Sequence, residues 1–85
     1  MSKSKHINQY KMLASVMNPS QTQKILKHLI RYGRITTFQA FEKYGCTRCA
    51  ARIADLRAHG VVIDTDMVYK KTKEGPIHYA VYRLV

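Results

Sequence analysis

The cysteines of Cys46-Thr-Arg-Cys49 have the C-x-x-C spacing used for zinc binding and for thiol redox exchange. Zinc requires two further ligands at suitable spacing, and the sequence offers no second cysteine pair. His6, His28, His59 and His78 are scattered singly. His59 lies about three turns beyond Cys46 on one inferred helix, roughly 18 Å at the helical rise, too far to share a metal. Redox exchange requires the first thiol exposed at a helix N-terminus, where the dipole stabilises a thiolate. Cys46 is near such an end, but Cys49 falls on the apolar stripe of the same helix, and no β-α-β pattern surrounds the pair. The stronger reading is two structural cysteines packed as small hydrophobes, with no metal and no cofactor. The acids Glu42, Asp55, Asp64, Asp66 and Glu74 are dispersed, and neither a Ser-His-Asp set nor a glycine-rich phosphate loop is suggested. Catalysis is therefore not expected.

The remaining chemistry is cationic. Fifteen Lys and Arg stand against five acids, for a formal charge of +10, and no side-chain carboxylate occurs from Met1 to Ala40. Such a field attracts a nucleic acid, an anionic membrane surface or an acidic protein. Arg48 and Arg52 lie one turn apart, a like-charge pair that costs roughly a few tenths of a kcal/mol in an isolated helix and that a polyanion would offset. Arg48 can reach phosphate or the O6 and N7 edge of guanine, and Thr47 can bond phosphate or meet a thymine methyl. Arg52 reads equally well as a partner for Asp55 or Glu42. Lys70, Lys71 and Lys73 can reach phosphate or a minor groove, although each alone also reads as a solvated surface lysine. Lys24, Lys27, Arg31 and Arg34 can brace the flanking backbone on the same argument. Tyr10, Tyr69 and Tyr79 suit either packing or stacking on unpaired bases.

These residues need elements to hold them. At 85 residues with 46% hydrophobic content, the chain has the size of one small folded domain. No apolar run approaches the roughly 18 residues of a membrane span. The N-terminal MSKSKHINQY lacks the apolar stretch of a signal peptide, so a cytoplasmic protein with reduced thiols is expected. The punctuation at Asn18 to Gln21 divides a basic N-terminal arm, residues 1–18, from a domain, residues 19–85. Ile7, Tyr10, Leu13 and Met17 fall near helical spacing, so the arm reads as a short helix docked on the domain or on a second subunit, or as a frayed tail.

Ser20 and Gln23 form a capping-box pattern, and Ile25, Leu26, Leu29 and Ile30 make one apolar stripe that stops at Gly33. Arg34 to Thr36 is a short extended piece with Ile35 inward. Thr36 and Gln39 repeat the box, and Phe38, Phe41 and Tyr44 are expected to line one face of a second helix ending at Gly45. A third helix spans about 47–59, with Cys49, Ile53 and Leu56 toward the core and Thr47, Arg48, Ala51, Arg52 and Asp55 pointing elsewhere. After Gly60 the period becomes two: Val61, Ile63, Thr65, Met67 and Tyr69 share one face. A six-residue polar turn, KTKEGP, leads to a second strand with Ala80, Tyr82 and Leu84 inward.

Helix, short strand, helix, glycine turn, helix and hairpin is the order of a winged helix-turn-helix domain. The run GRITTFQAFEKYGCTRCAARIADLRAHGVVIDT, closed by HYAVYRL, resembles the small winged helix-turn-helix proteins common in bacteriophage and prophage genomes. The resemblance covers about Gln21 to Leu84 and rests on G-x-I-T, YGC, ARIADLR, G-x-x-I and YRL. It implies an α+β fold of three helices plus a C-terminal β-hairpin wing. It further implies binding to double-stranded DNA, with the third helix in the major groove and the wing, residues 70–76, on the backbone. Thr47, Arg48, Ala51, Arg52, Asp55, Lys70, Lys71, Lys73 and Arg34 are the contact residues so expected, in a small transcriptional regulator or an excisionase-like recombination factor. A homodimer through the arm stays open, as does a phage-encoded inhibitor or adaptor that binds a host protein. No membrane partner is expected.

Overall fold

The computed structural model of the protein describes residues 7–16 and 20–85. His6, Met17 and the Asn18-Pro19 punctuation lie outside the described residues. The order is α1 (Ile7–Val16), α2 (Gln21–Tyr32), β1 (Arg34–Thr36), α3 (Thr37–Tyr44), α4 (Cys49–Ala58), β2 (Ile63–Thr72) and β3 (Gly75–Leu84). The expected α+β arrangement of three helices and a hairpin is present, with a further helix in the arm.

Helix α2 carries the centre of the core because Ile25, Leu26 and Leu29 fall on one face, and all are fully buried. Its start is fixed by the Gln23 N–H, which donates to the Ser20 hydroxyl at 3.3 Å. The reciprocal half of the expected box is missing: the Gln23 side-chain amide donates instead to the Ala14 carbonyl at 2.8 Å and ties α2 to α1. Its end is fixed at Gly33, where φ is 87°, a conformation that costs other residues a clash at Cβ. The Gly33 carbonyl then accepts from the Leu84 N–H at 2.8 Å, so the same turn anchors the last strand.

The sheet is antiparallel in the order β1-β3-β2. Tyr82 stands opposite both Ile35 and Thr65, and Leu84 opposite Ile63, so the inner face of β3 closes the core beneath α2 and α4. Tyr82 is buried, and Ala80 and Leu84 are half-buried, as the pattern of β3 predicts. The outer face carries Arg83, which donates to Asp66 at 3.0 Å and to Asp64 at 3.2 Å.

Three expectations need correction. Phe38 and Phe41 are 68% and 55% exposed, and α3 meets the core through buried Ala40 with half-buried Tyr44 packed beside it. The capping box at Thr36 and Gln39 is complete and sets the rotation of this short helix. The small Ala40 side chain then lets it approach the core closely, and Tyr44 turns toward His28. The six-residue turn is instead a two-residue turn, Lys73 and Glu74, between strands that pair as far as Thr72 and Gly75. The Thr72 hydroxyl donates to the Gly75 carbonyl at 2.6 Å and accepts from the Glu74 N–H at 3.2 Å, which fastens the tip. Finally, only the base of the predicted inner face of β2 is covered: Val61 and Ile63 are buried, whereas Thr65, Met67 and Tyr69 are exposed. The hairpin outruns the core.

His28 is buried and shares a 2.8 Å hydrogen bond between Nδ1 and the Tyr44 hydroxyl. Burial, then the nearby Lys43 charge, push its pKa below the ordinary histidine value, and a backbone hydrogen bond at Arg34 opposes the shift. A neutral imidazole accepting from the tyrosine fits that environment.

Helix α1 is seated by Tyr10 and Ala14, which are 4% and 3% exposed. The Tyr10 hydroxyl accepts from the Val62 N–H at 3.1 Å, joining the arm to the start of the hairpin. Tyr10→Phe is expected to cost about 1 kcal/mol, the worth of the hydrogen bond, and Tyr10→Ala about 3–5 kcal/mol, the worth of a buried ring. Urea unfolding checks both; equal losses would mean that the ring contributes nothing beyond its hydroxyl.

Candidate nucleic-acid interface

Helix α4 touches the core along one narrow edge. Cys49, Ile53 and Leu56, at i, i+4 and i+7, are buried. The opposite side presents Ala50, Ala54 and Ala58, all exposed, with Ala51 half-buried beside them. Small side chains there leave the helix backbone open to close approach by a groove.

The turn that aims α4 depends on Gly45. Its φ is 65°, and its N–H donates to the Phe41 carbonyl at 2.8 Å while the Cys46 N–H reaches Ala40 at 3.1 Å. Cys46 is thereby drawn inside. Both thiols are free and essentially unexposed, so the accessible thiolate needed for redox exchange is missing. Burial, and then the neighbouring Cys46, push the Cys49 thiol up to about 11. Among the described residues, no three His, Cys, Asp or Glu side chains converge as a metal site requires.

The helix begins at Cys49, two residues later than its sequence pattern predicts, and Arg48 occupies the cap position without a side-chain cap bond. No acid lies in the first turn. The first backbone N–H groups of α4 thus receive no side-chain cap from Arg48, and exposed Thr47 and Arg48 stand beside them.

Arg52 and Asp55 are on the same helix but engaged with each other. Arg52 Nη2 lies 3.3 Å from Asp55 Oδ2, which also accepts from the Thr22 hydroxyl at 3.3 Å. The Arg52 side chain is one-third exposed, and its Nε is buried without a partner. This pair ties α4 to α2, and it takes Arg52 out of the group of free cations.

The wing is positioned by Arg57, a residue the sequence reading passed over. Its guanidinium donates to the Ile63 carbonyl at 3.2 and 2.7 Å and to the Thr65 hydroxyl at 2.9 Å. A charge-assisted fork of this kind fixes the angle between α4 and the hairpin. Lys70, Lys71 and Lys73 are then carried at the exposed distal end. Arg34 sits apart from them, in a cleft of about 340 Å³ lined also by His28, Tyr32, Gln39 and Lys43. Lys24, Lys27 and Arg31 are exposed on α2, with Arg31 over the Tyr32 ring at 5.4 Å from its centroid.

Of the five acids, Asp55, Asp64 and Asp66 are paired with arginine. Only Glu42 and Glu74 are left to offset the lysines and the remaining arginines. The free charge of the described residues is strongly positive, and Arg48 and the wing lysines belong to it. No described helix is long and apolar enough to cross a membrane.

Residues 20–85 match the family described as a winged helix-turn-helix domain. No curated protein matches the chain.

The thiol pKa gives a stability prediction. Between about 9, the ordinary value, and about 11, the unfolded chain has lost the Cys49 proton and the folded chain has kept it. The associated stability is present below that window and is lost as pH rises through it. Urea midpoints should fall across this range and fall less in Cys49→Ala. Iodoacetamide at mildly alkaline pH should alkylate both thiols only as fast as the protein opens; free-thiol rates in the folded state would contradict the burial.

Proposed function

We propose that this chain, which belongs to the winged helix-turn-helix domain family, binds double-stranded DNA in a sequence-dependent manner without catalysing a reaction on it. The observation that carries this reading is the open end of α4: an uncapped helix N-terminus, flanked by exposed Thr47 and Arg48, on a helix whose outer side is alanine. Helix α4 enters the major groove, where Arg48 takes phosphate or the guanine edge and Thr47 takes phosphate or a thymine methyl. Ala51 allows close approach. Arg52 and Asp55 hold the helix to α2 and meet the groove only from its margin.

The wing lies along the backbone, with Lys70, Lys71 and Lys73 on phosphates, and Arg34 extends the positive surface. The resemblance to small phage and prophage proteins supports reading it as a transcriptional regulator or an excisionase-like recombination factor, working in the cytoplasm of a bacterial host. Exposed Phe38 and Phe41 favour a second reading, a phage-encoded inhibitor or adaptor that grips a host protein through α3. A homodimer through the arm would use Met12 and Val16, the exposed apolar residues of α1.

Arg48→Ala should weaken the preferred duplex by about 1–3 kcal/mol and relax sequence preference. Replacing Lys70, Lys71 and Lys73 by alanine should weaken all duplexes alike and reduce the slope of log affinity against log salt by about 3. Anisotropy titrations read both effects. If affinity and preference survive Arg48→Ala combined with Arg52→Ala, the α4 reading is wrong; a host protein captured after nuclease treatment and lost in Phe38→Ser would support the second one.

A further inference from the structure

The hairpin is longer than the core requires. Inner-face pairing runs from Ile63 and Leu84 through Thr65 and Tyr82, then Met67 and Ala80, to Tyr69 and His78. Ile63 and Tyr82 of the first two pairs are buried, but beyond them Met67 is 46% and Tyr69 is 75% exposed. An aromatic ring so exposed on a projecting strand buries little surface in the core. Tyr69 and His78 nevertheless keep company, with ring centroids 5.8 Å apart and planes inclined at 32°. A groove of about 340 Å³ lies beside them, lined by Tyr69, Lys70, Lys71, Pro76, Ile77 and His78.

Two facts select the occupant. The groove joins apolar and aromatic surface to lysines, with Lys73 beyond them and Glu74 the only acid of the tip. Aromatic rings flanked by cations are what an unpaired nucleobase and its phosphate require, since every base has a face to stack. Alternate residues also share a sheet face, so Tyr69 lies on the side of Thr65, whose hydroxyl is held by Arg57 of α4. Four residue steps along the strand, on the order of 13 Å, take Thr65 to Tyr69. A duplex held on α4 therefore has its flank, rather than its centre, near the tyrosine.

We infer that Tyr69 and His78 form a stacking platform for an unpaired nucleobase of DNA, so that the protein prefers a duplex bordered by single-stranded nucleotides to a fully paired one. The inference rests on the duplex reading above and narrows its substrate. Base pairs inside an intact duplex keep their faces covered, so only a frayed end, a flap or a bubble can use the platform.

The test compares one blunt duplex with the same duplex carrying a short unpaired extension on either strand, each with 2-aminopurine in or next to the extension. The extended form should bind about 5- to 150-fold more tightly, the range that stacking of one base supports. Its 2-aminopurine emission should be quenched on binding. Tyr69→Phe should retain the preference, and Tyr69→Ala should abolish it while leaving blunt-duplex affinity unchanged. The exposure of Tyr69 makes the alanine variant foldable, and circular dichroism confirms this independently. Equal binding of blunt and extended forms, or an equal loss on both in Tyr69→Ala, overturns the platform and leaves the duplex reading standing. Failure to bind either form at low salt overturns both.

Discussion

Three side chains, Cys49, Ile53 and Leu56, hold α4 to the core by one edge, and the exposure of the rest of that helix follows from the attachment. A helix buried on a narrow edge keeps most of its circumference free. The same edge fixes which residues stay outside: Arg48 at the open N-terminus and the alanines along the far side. It also draws both cysteines into the interior, where the thiols act as small apolar groups. The spacing that suggested metal or redox chemistry is a consequence of packing, with Cys46 filling the turn after Gly45 and Cys49 starting the buried stripe.

Electrostatics then determines which cations are available. The pair between Arg52 and Asp55 is one-third to one-half exposed, so its net contribution to stability is small. Its importance lies in occupying an arginine and an acid beside the exposed side of α4. Arg83 does the same for Asp64 and Asp66 on the outer face of the sheet. With those acids neutralised by short-range partners, Arg48 and the wing lysines act in a field little opposed by negative charge. Arg57 adds geometry to this division, because its fork onto Ile63 and Thr65 makes α4 and the hairpin one unit.

Much of the architecture was legible because local signals agreed with one another. The stripe of α2, its glycine stop, the Thr36 and Gln39 capping box and the buried edge of α4 were readable residue by residue. The face of α3 was not, because periodicity locates apolar residues without saying whether bulk or close approach is needed. Ala40 serves close approach, and the phenylalanines remain outside. The inner face of β2 failed for a related reason: alternation marks a face, but the reach of the core decides how much of it is covered. Arg57 and Tyr10 act through tertiary hydrogen bonds to backbone, and such bonds leave no pattern in the sequence. At the interface, residue types were readable, whereas the engagement of Arg52 and the freedom of Arg48 depended on rotation of α4 by less than one turn.

The proposed function makes the uncapped end of α4 and the cationic wing together a duplex-binding surface. Fluorescence anisotropy of the full chain against labelled duplexes from its own genomic neighbourhood, titrated at several salt concentrations with unlabelled competitor, tests it most directly. With such a surface, log affinity falls linearly with log salt and one fragment keeps its binding against competitor DNA. An absence of duplex binding even at low salt would contradict it.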